Sequence, residues 1–290
     1  MRCIVPPAPG NWNGSGDRGM KLSLASWSFP ACTLDECVGI SKALGVNALD
    51  VGLFYRAALE KHEILSDPRA AAARLAPCGI AFPNYYHLFG DGLAGRNLSL
   101  PGTIDQNARD LDQVLTFCDA AGIESVFILP GIVNPGQSRE DAASVSAESL
   151  TALLAVASHH RARICIEPHV QSWAESPALV QRLIDRTGIG LALDYSHFAC
   201  LGYRQEEVDP LARHAVHVHL RQARMGALQA KFAEGTLNFP AIFGTLRDAG
   251  YTGWMALENT HQDYMNTLSE DVLTETVTMR DCFRRWKEAA

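Results

Sequence analysis

The sequence predicts an α/β protein, a (β/α)8 TIM barrel, from two observations and one exclusion. Eight short β-rich runs alternate with helical patterns along the 290-residue chain. Their spacing, about 34 residues per unit, suits a barrel of about 250 residues. The exclusion concerns the doubly wound open sheet. Its first βα turn normally carries a glycine-rich phosphate loop, and "SFPACTLDE" has none.

The strands are expected at "LSLASWSF" (22–29), "ALDVGL" (48–53), "IAFPNYYH" (80–87) and "SVFILP" (125–130). The second half continues with "RICIEPH" (163–169), "LALDYSH" (191–197), "AVHVHLR" (215–221) and "GWMALEN" (253–259). Most are near-continuously apolar, as strands covered on both faces must be. Between them, "TLDECVGISKALG" (33–45) opens on Thr33 as a cap and closes at Gly45. "DQNARDLDQVLTFCDAAG" (105–122) places Asp105 as a cap, with Gly122 at its end. "SAESLTALLAVASHH" (146–160), "SPALVQRLIDRTG" (176–188) and "NFPAIFGTLRDAG" (238–250) repeat the pattern. Pro177 opens its helix, where its missing amide costs nothing. "SEDVLTETVTMRDCFRRWKEA" (269–289) closes the chain.

Residues 1–19 are rich in Pro, Gly and Asn and are expected to form a flexible tail, with Met20 as a candidate start. Residues 20–290 form one domain, with no internal repeat and no interior linker. The chain is 47% hydrophobic and 20% charged, with net charge −7. That acidity disfavours nucleic acid as a partner. No apolar run reaches the roughly 18 residues of a membrane span, and the N-terminus lacks an apolar signal core. The eight cysteines include no CxxC pair. They read as small buried thiols of a cytoplasmic protein.

In a barrel, chemistry sits at the C-terminal ends of the strands. There "RICIE", "LALD", "AVHVH" and "WMALE" end in Glu167, Asp194, His219 and Glu258, one ionisable group on each of four successive strands. Three bare carboxylates at one rim repel one another, and a divalent cation resolves that repulsion. Three carboxylates and one imidazole suit Mn²⁺ first, with Mg²⁺ or Co²⁺ as alternatives, rather than a structural zinc.

His197 lies past its strand end, out of phase with Asp194, and is expected to lean over a substrate. His169 shares a face with Glu167, one step higher, and is expected to contact substrate. His217 sits one layer below His219 and reads as a hydrogen-bonded core histidine. Trp27, Trp173 and His87, at or beyond strand ends, are expected to wall a pocket. Phe29 and Phe89 read equally well as packing beneath loops. Arg221 competes with Arg224 as a substrate contact, and otherwise reads as a salt bridge under the 222–236 loop.

The stretches "EPH", "LDYSH", "HVHLRQA" and "EGTLNFPAIFGTLRDAGYTGWMALE" resemble the xylose-isomerase-like TIM barrels, the sugar phosphate isomerases and epimerases. The resemblance covers about residues 20–285. It implies Glu167, Asp194, His219 and Glu258 as metal ligands, and His197 and Arg224 as substrate contacts. It also implies an isomerase or epimerase acting on a keto-sugar or related polyol ketone. In the resembling epimerases, the glutamates matching Glu167 and Glu258 both bind metal and move protons. Here they come from strands three apart and are expected to be the acid/base pair of an enediolate mechanism. Ketose 3-epimerases carry a second glutamate six residues after the strand-five ligand. Here that position is Trp173, and the nearest carboxylate is Glu175.

Rival readings are a lyase on the same site (dehydration or C-glycoside cleavage), an endonuclease IV-like hydrolase and a non-catalytic partner subunit. The acidic charge and single ligand set disfavour the nuclease, and the intact ligand set disfavours the last. A small-molecule partner and room for a homo-oligomer complete the expectation.

Overall fold

Eight parallel strands close on themselves in chain order in the computed structural model, which describes residues 19–52, 59–260, 265, 267 and 271–289. They are β1 (Lys21–Ala25), β2 (Leu49–Gly52), β3 (Asn84–Tyr86), β4 (Ser125–Ile128), β5 (Arg163–Ile166), β6 (Gly190–Asp194), β7 (Ala215–Leu220) and β8 (Trp254–Leu257). The helices are α1 (Leu34–Ala43), α2 (Lys61–Ser66), α3 (Pro68–Ala73), α4 (Ile104–Ala121), α5 (Arg139–Ala157), α6 (Pro177–Thr187), α7 (Tyr195–Cys200), α8 (Gln205–Val208), α9 (Phe239–Asp248) and α10 (Val272–Ala289). The expected tail falls outside the described residues except for Gly19, as do Leu53 of the second expected strand and Ser269 and Glu270 of the last helix.

Alternation along each strand sorts the side chains. Leu24, Leu49 and Val126 join the large apolar layer shared with the helices. The opposite face carries Ala25, Cys165 and Ala192, packed with Trp27, Tyr86 and Phe127 in a separate small cluster. In α4, Leu111, Val114, Leu115 and Cys118 recur at helical spacing, and all four are fully buried.

The strand lengths differ from expectation where the chain turns at the site. Residues 26–28 form a 3₁₀ turn after β1, and Tyr195 begins helix α7 directly after Asp194. Several helix starts also differ. The N-cap of α4 is Thr103, and Asp105 sits in the first turn, where its charge suits the helix dipole. Helix α5 begins seven residues earlier than expected, behind a Ser138/Asp141 capping box. The α2–α3 pair lies outside the expected helices, although Asp67 caps α3 and Pro68 occupies its first turn, a readable start signal.

Thr33 behaves as expected. It forms a capping box with Glu36, its hydroxyl accepting from the Glu36 amide at 3.3 Å. Thr33→Ala is therefore expected to cost about 1 kcal/mol, read as a lower midpoint in thermal or urea unfolding.

Candidate metal centre

Strands β5 to β8 bring Glu167, Asp194, His219 and Glu258 together. One ligand atom from each lies within 4.8 Å of the others, and all four residues are buried. Register explains part of this. Asp194 is paired directly with His219 across β6 and β7, and Glu167 and Glu258 are the first residues past β5 and β8. His219 Nδ1 donates to Glu167 Oε1 at 2.5 Å and lies 3.3 Å from Glu258 Oε2. Trp27 Nε1 donates to the other oxygen of Glu258 at 2.7 Å, and its ring centroid is 6.1 Å from that of His219.

Arg221 completes the cluster. It is only 3% exposed, and its Nη2 donates to Asp194 Oδ2 at 2.6 Å and lies 3.4 Å from Glu258 Oε2. Its Nε donates to Ser196 Oγ at 3.1 Å. Of the two expectations for Arg221, substrate contact or salt bridge beneath a loop, the structure shows a bridge. The bridge is real, but its partners are the carboxylates of the cluster itself. Arg224 instead is exposed, and among the described residues its backbone pairs with Ala227.

His197 stands closer to the carboxylates than strand parity suggested. The chain is helical from Tyr195, so residues 194 and 197 share a face as i and i+3 neighbours. His197 Nε2 lies 3.6 Å from Asp194 Oδ2 and 3.8 Å from Glu167 Oε1. The Val170 amide donates to Nδ1 at 3.2 Å, which fixes the ring. His169 is buried beside it, ring centroids 6.1 Å apart, with Nδ1 on the Val170 carbonyl and Nε2 without a hydrogen bond.

One expected pocket wall lies elsewhere. Trp173 is buried in the main core, its Nε1 donating to the Pro130 carbonyl at 2.8 Å. His87, just past β3, lines a small cavity with Leu129, Gly131 and His169, and packs edge-on against Phe89 at 4.6 Å. Phe89 packs in the main core, and Phe29 lies partly buried against it. Glu175 accepts from the Gln171 amide at 2.7 Å and pairs with Arg139 at 3.3 Å. Outward-facing residues near strand ends and residues past a turn look alike in sequence, because parity is lost once a strand ends.

The electrostatics follow from crowding. Burial lifts the Glu167 carboxyl to about 7, against the pull of His219. Burial also raises Asp194, but the Arg221 guanidinium prevails and holds it at about 2. Burial opposes charge on His219, yet Glu258 and Glu167 beside it push its pKa up to about 10. Burial drives His197 well below the usual imidazole range.

The donor set fits a divalent cation. Glu258 Oε2 is buried and accepts no hydrogen bond despite its neighbours. Three carboxylates and an imidazole nitrogen surround one point, a hard, mostly oxygen environment. Glu167, Asp194, His219 and Glu258 could therefore hold the ion. A cleft at the opposite end of the barrel, lined by Asn47, Ala72, Gly79, Phe82 and Glu124, offers no comparable set. Among the described residues, no helix is long and apolar enough to cross a membrane.

Comparison with known proteins agrees with the architecture. A 2-oxo-tetronate isomerase of Pectobacterium atrosepticum is 26% identical over 175 residues, 55% of this chain and 63% of that relative. The chain thus spans less than two thirds of that protein's length. A 2-oxo-tetronate isomerase of Haemophilus influenzae is 25% identical over 198 residues, 65% of this chain and 71% of the relative. Among solved structures, a D-tagatose 3-epimerase-like protein superposes with a TM-score of 0.70 at 15% identity, covering 93% of this chain and 98% of that one. The zinc-bound IOLI protein does so at 0.70 and 15%, covering 92% and 99%. These likenesses show the fold. The sequence profile described as xylose isomerase-like TIM barrel matches residues 39–280, and the chain belongs to that family.

Proposed function

We propose that the protein is a divalent-metal-dependent isomerase or epimerase that enolises a keto-sugar or related polyol ketone, with Glu167 and Glu258 as its acid/base pair. The observation that carries this reading is the convergence of four buried donors, one from each of β5 to β8, within 4.8 Å. Glu167, Asp194, His219 and Glu258 would hold the ion, Mn²⁺ foremost. A bound divalent cation supplies Lewis acidity that polarises a carbonyl and its neighbouring hydroxyl.

The chain's own residues supply the proton chemistry. Glu167, buried just past β5 beside His219, is the first carboxylate proposed to accept and return the proton. Glu258 is held in place by the Trp27 indole, so its carboxylate is oriented toward the same space. Arg221 and His197 add positive charge and a hydrogen-bonding ring beside the developing enediolate oxygens. Asp194 is anchored by the Ser196 amide at 2.8 Å and by Arg221, which suits a ligand rather than a base. The unbonded Nε2 of His169 supports a contact with the far end of a substrate.

The names of the curated relatives make 2-oxo-tetronates the first compounds to test. The test is incorporation of deuterium from D₂O into 2-oxo-tetronates and a panel of keto-sugars, with Mn²⁺ present, followed by product analysis. Metal-dependent exchange into the carbon next to the carbonyl is expected. No exchange across the panel with metal bound would overturn the enolisation reading.

Metal binding should tighten as pH rises. Free of metal, His219 keeps its proton up to about 10 and Glu167 up to about 7. A cation must displace those protons, so affinity climbs wherever the metal-free site carries them. The logarithm of the binding constant is expected to rise by about two per pH unit below the Glu167 value, by about one between the two values, and then to level off. Calorimetry in buffers of different ionisation enthalpy counts the protons released. A constant that is flat between about pH 6 and pH 9 contradicts this account of the site.

A further inference from the structure

Directly below the four-residue cluster lies a second polar group that the proposed chemistry does not use. Asp50 on β2 is fully buried, and its Oδ2 lies 2.6 Å from Nε2 of His217, which is 1% exposed. Neither Asp50 oxygen accepts a hydrogen bond from any described residue. His217 and His219 lie on the same face of β7 with ring centroids 5.3 Å apart, edge to face. A ring nitrogen of His219 falls within 4.8 Å of the Asp50 and His217 donor atoms. His219 thus stands between two acidic groups, with Nδ1 on Glu167 and Glu258 above and with the buried Nε2 accepting and donating no hydrogen bond.

We infer that Asp50, braced by His217, is a positioning residue for His219. Its carboxylate favours the His219 tautomer that keeps the ring proton on Nε2 and leaves the Nδ1 lone pair for the cation. The inference rests on the metal reading of Glu167, Asp194, His219 and Glu258. The physical argument is that a ligating imidazole must carry its proton on the nitrogen away from the ion. In a dry interior that N–H needs negative charge nearby. Asp50, with an oxygen within 4.8 Å of a ring nitrogen of His219, supplies it in low dielectric, where a charge acts more strongly than in water. His217 fills the opposite role. It occupies one side of the carboxylate, so an otherwise unpaired buried charge is tolerated in the barrel interior. The two faces of His219 then have distinct tasks, and Asp50 acts on the ion only through the ring between them.

The test is metal affinity, measured by titration calorimetry with Mg²⁺, Mn²⁺, Co²⁺ and Zn²⁺ on wild type and Asp50→Asn. Asparagine keeps the shape and removes the charge. Affinity should fall by about 10- to 100-fold with one ion still bound at saturation. The loss should be graded, greatest for Zn²⁺ and Co²⁺, which depend on imidazole, and least for Mg²⁺, which depends on oxygen. A merely structural disturbance would weaken all four ions alike or lower only the melting temperature, and either result overturns the inference. A double variant, Asp50→Leu with His217→Leu, removes the pair together and leaves no unpaired buried charge to prevent folding. It should show the same graded loss, and unchanged affinities in that folded variant also overturn the inference. A wild-type chain that binds none of the four ions overturns the metal reading and this inference with it. Normal binding by wild type and Asp50→Asn alike overturns this inference alone.

Discussion

Glu258→Gln is expected to lower turnover by a factor on the order of 10² or more while the cation stays bound. Glutamine keeps the length of the side chain and one oxygen that can ligate. It also keeps an acceptor for Trp27 Nε1, which meets Glu258 Oε1 at 2.7 Å, so the indole and the tilted rings packed against it need not move. What disappears is the ability to take a proton. Glu167→Gln should cost a comparable factor for the same reason, but with a different signature. Glu167 Oε1 lies 2.5 Å from His219 Nδ1, so the substitution also alters the immediate neighbour of another candidate ligand. The two variants should therefore differ in isotope exchange. One is expected to wash a substrate proton into solvent without completing the reaction, and the other to do neither. Single-turnover rates and deuterium incorporation, measured with metal content checked in each variant, separate the cases. A Glu258→Gln protein with near-normal turnover and bound metal would refute the paired-base mechanism and leave Glu258 as a ligand only.

Arg221→Met should destabilise the metal-free protein by about 3–5 kcal/mol, because it removes the cation from a buried group of carboxylates. Arg221 Nη2 contacts Asp194 at 2.6 Å and approaches Glu258 at 3.4 Å, with both carboxylates almost entirely out of water. Methionine retains most of the apolar stem but none of the charge, so Asp194 loses the partner that holds its pKa at about 2. In a chain of this size such a loss lowers the melting temperature by roughly 10 °C. Saturating Mn²⁺ should restore a large part of it, since the ion brings positive charge to the same oxygens and binds only the folded state. Thermal unfolding with and without Mn²⁺ measures both effects. An equal drop in melting temperature under the two conditions would mean that Arg221 stabilises the fold by packing and not by neutralising the site.

The substrate end of the site differs from the ketose 3-epimerase pattern. At the position of their second glutamate, Trp173 is committed to the core and bonded to the Pro130 carbonyl. Glu175 is occupied by Arg139 and the Gln171 amide. Neither reaches the four-residue cluster in this arrangement. Under the proposed mechanism, Glu167 and Glu258 are the carboxylates assigned both ligation and proton transfer.

The sequence alone determined the barrel and the identity of the converging residues. An apolar run that ends in one ionisable group is a local signal, and Glu167, Asp194, His219 and Glu258 each follow such a run. Period-two alternation then fixes which face each residue occupies while the strand lasts, so register alone brings Asp194 beside His219. What only the tertiary structure decided lies where that alternation stops. His197 turned toward the carboxylates because α7 starts at Tyr195 and replaces strand parity with helical phase. Arg221, rather than Arg224, entered the site because β7 ends at Leu220 with its last inward positions still in step, whereas Arg224 sits in the loop beyond. Asp50 and His217 became partners across the barrel interior, separated by 167 positions in the chain. No local pattern records such a contact, because it depends on how eight strands close into a ring and which residues then face one another across it.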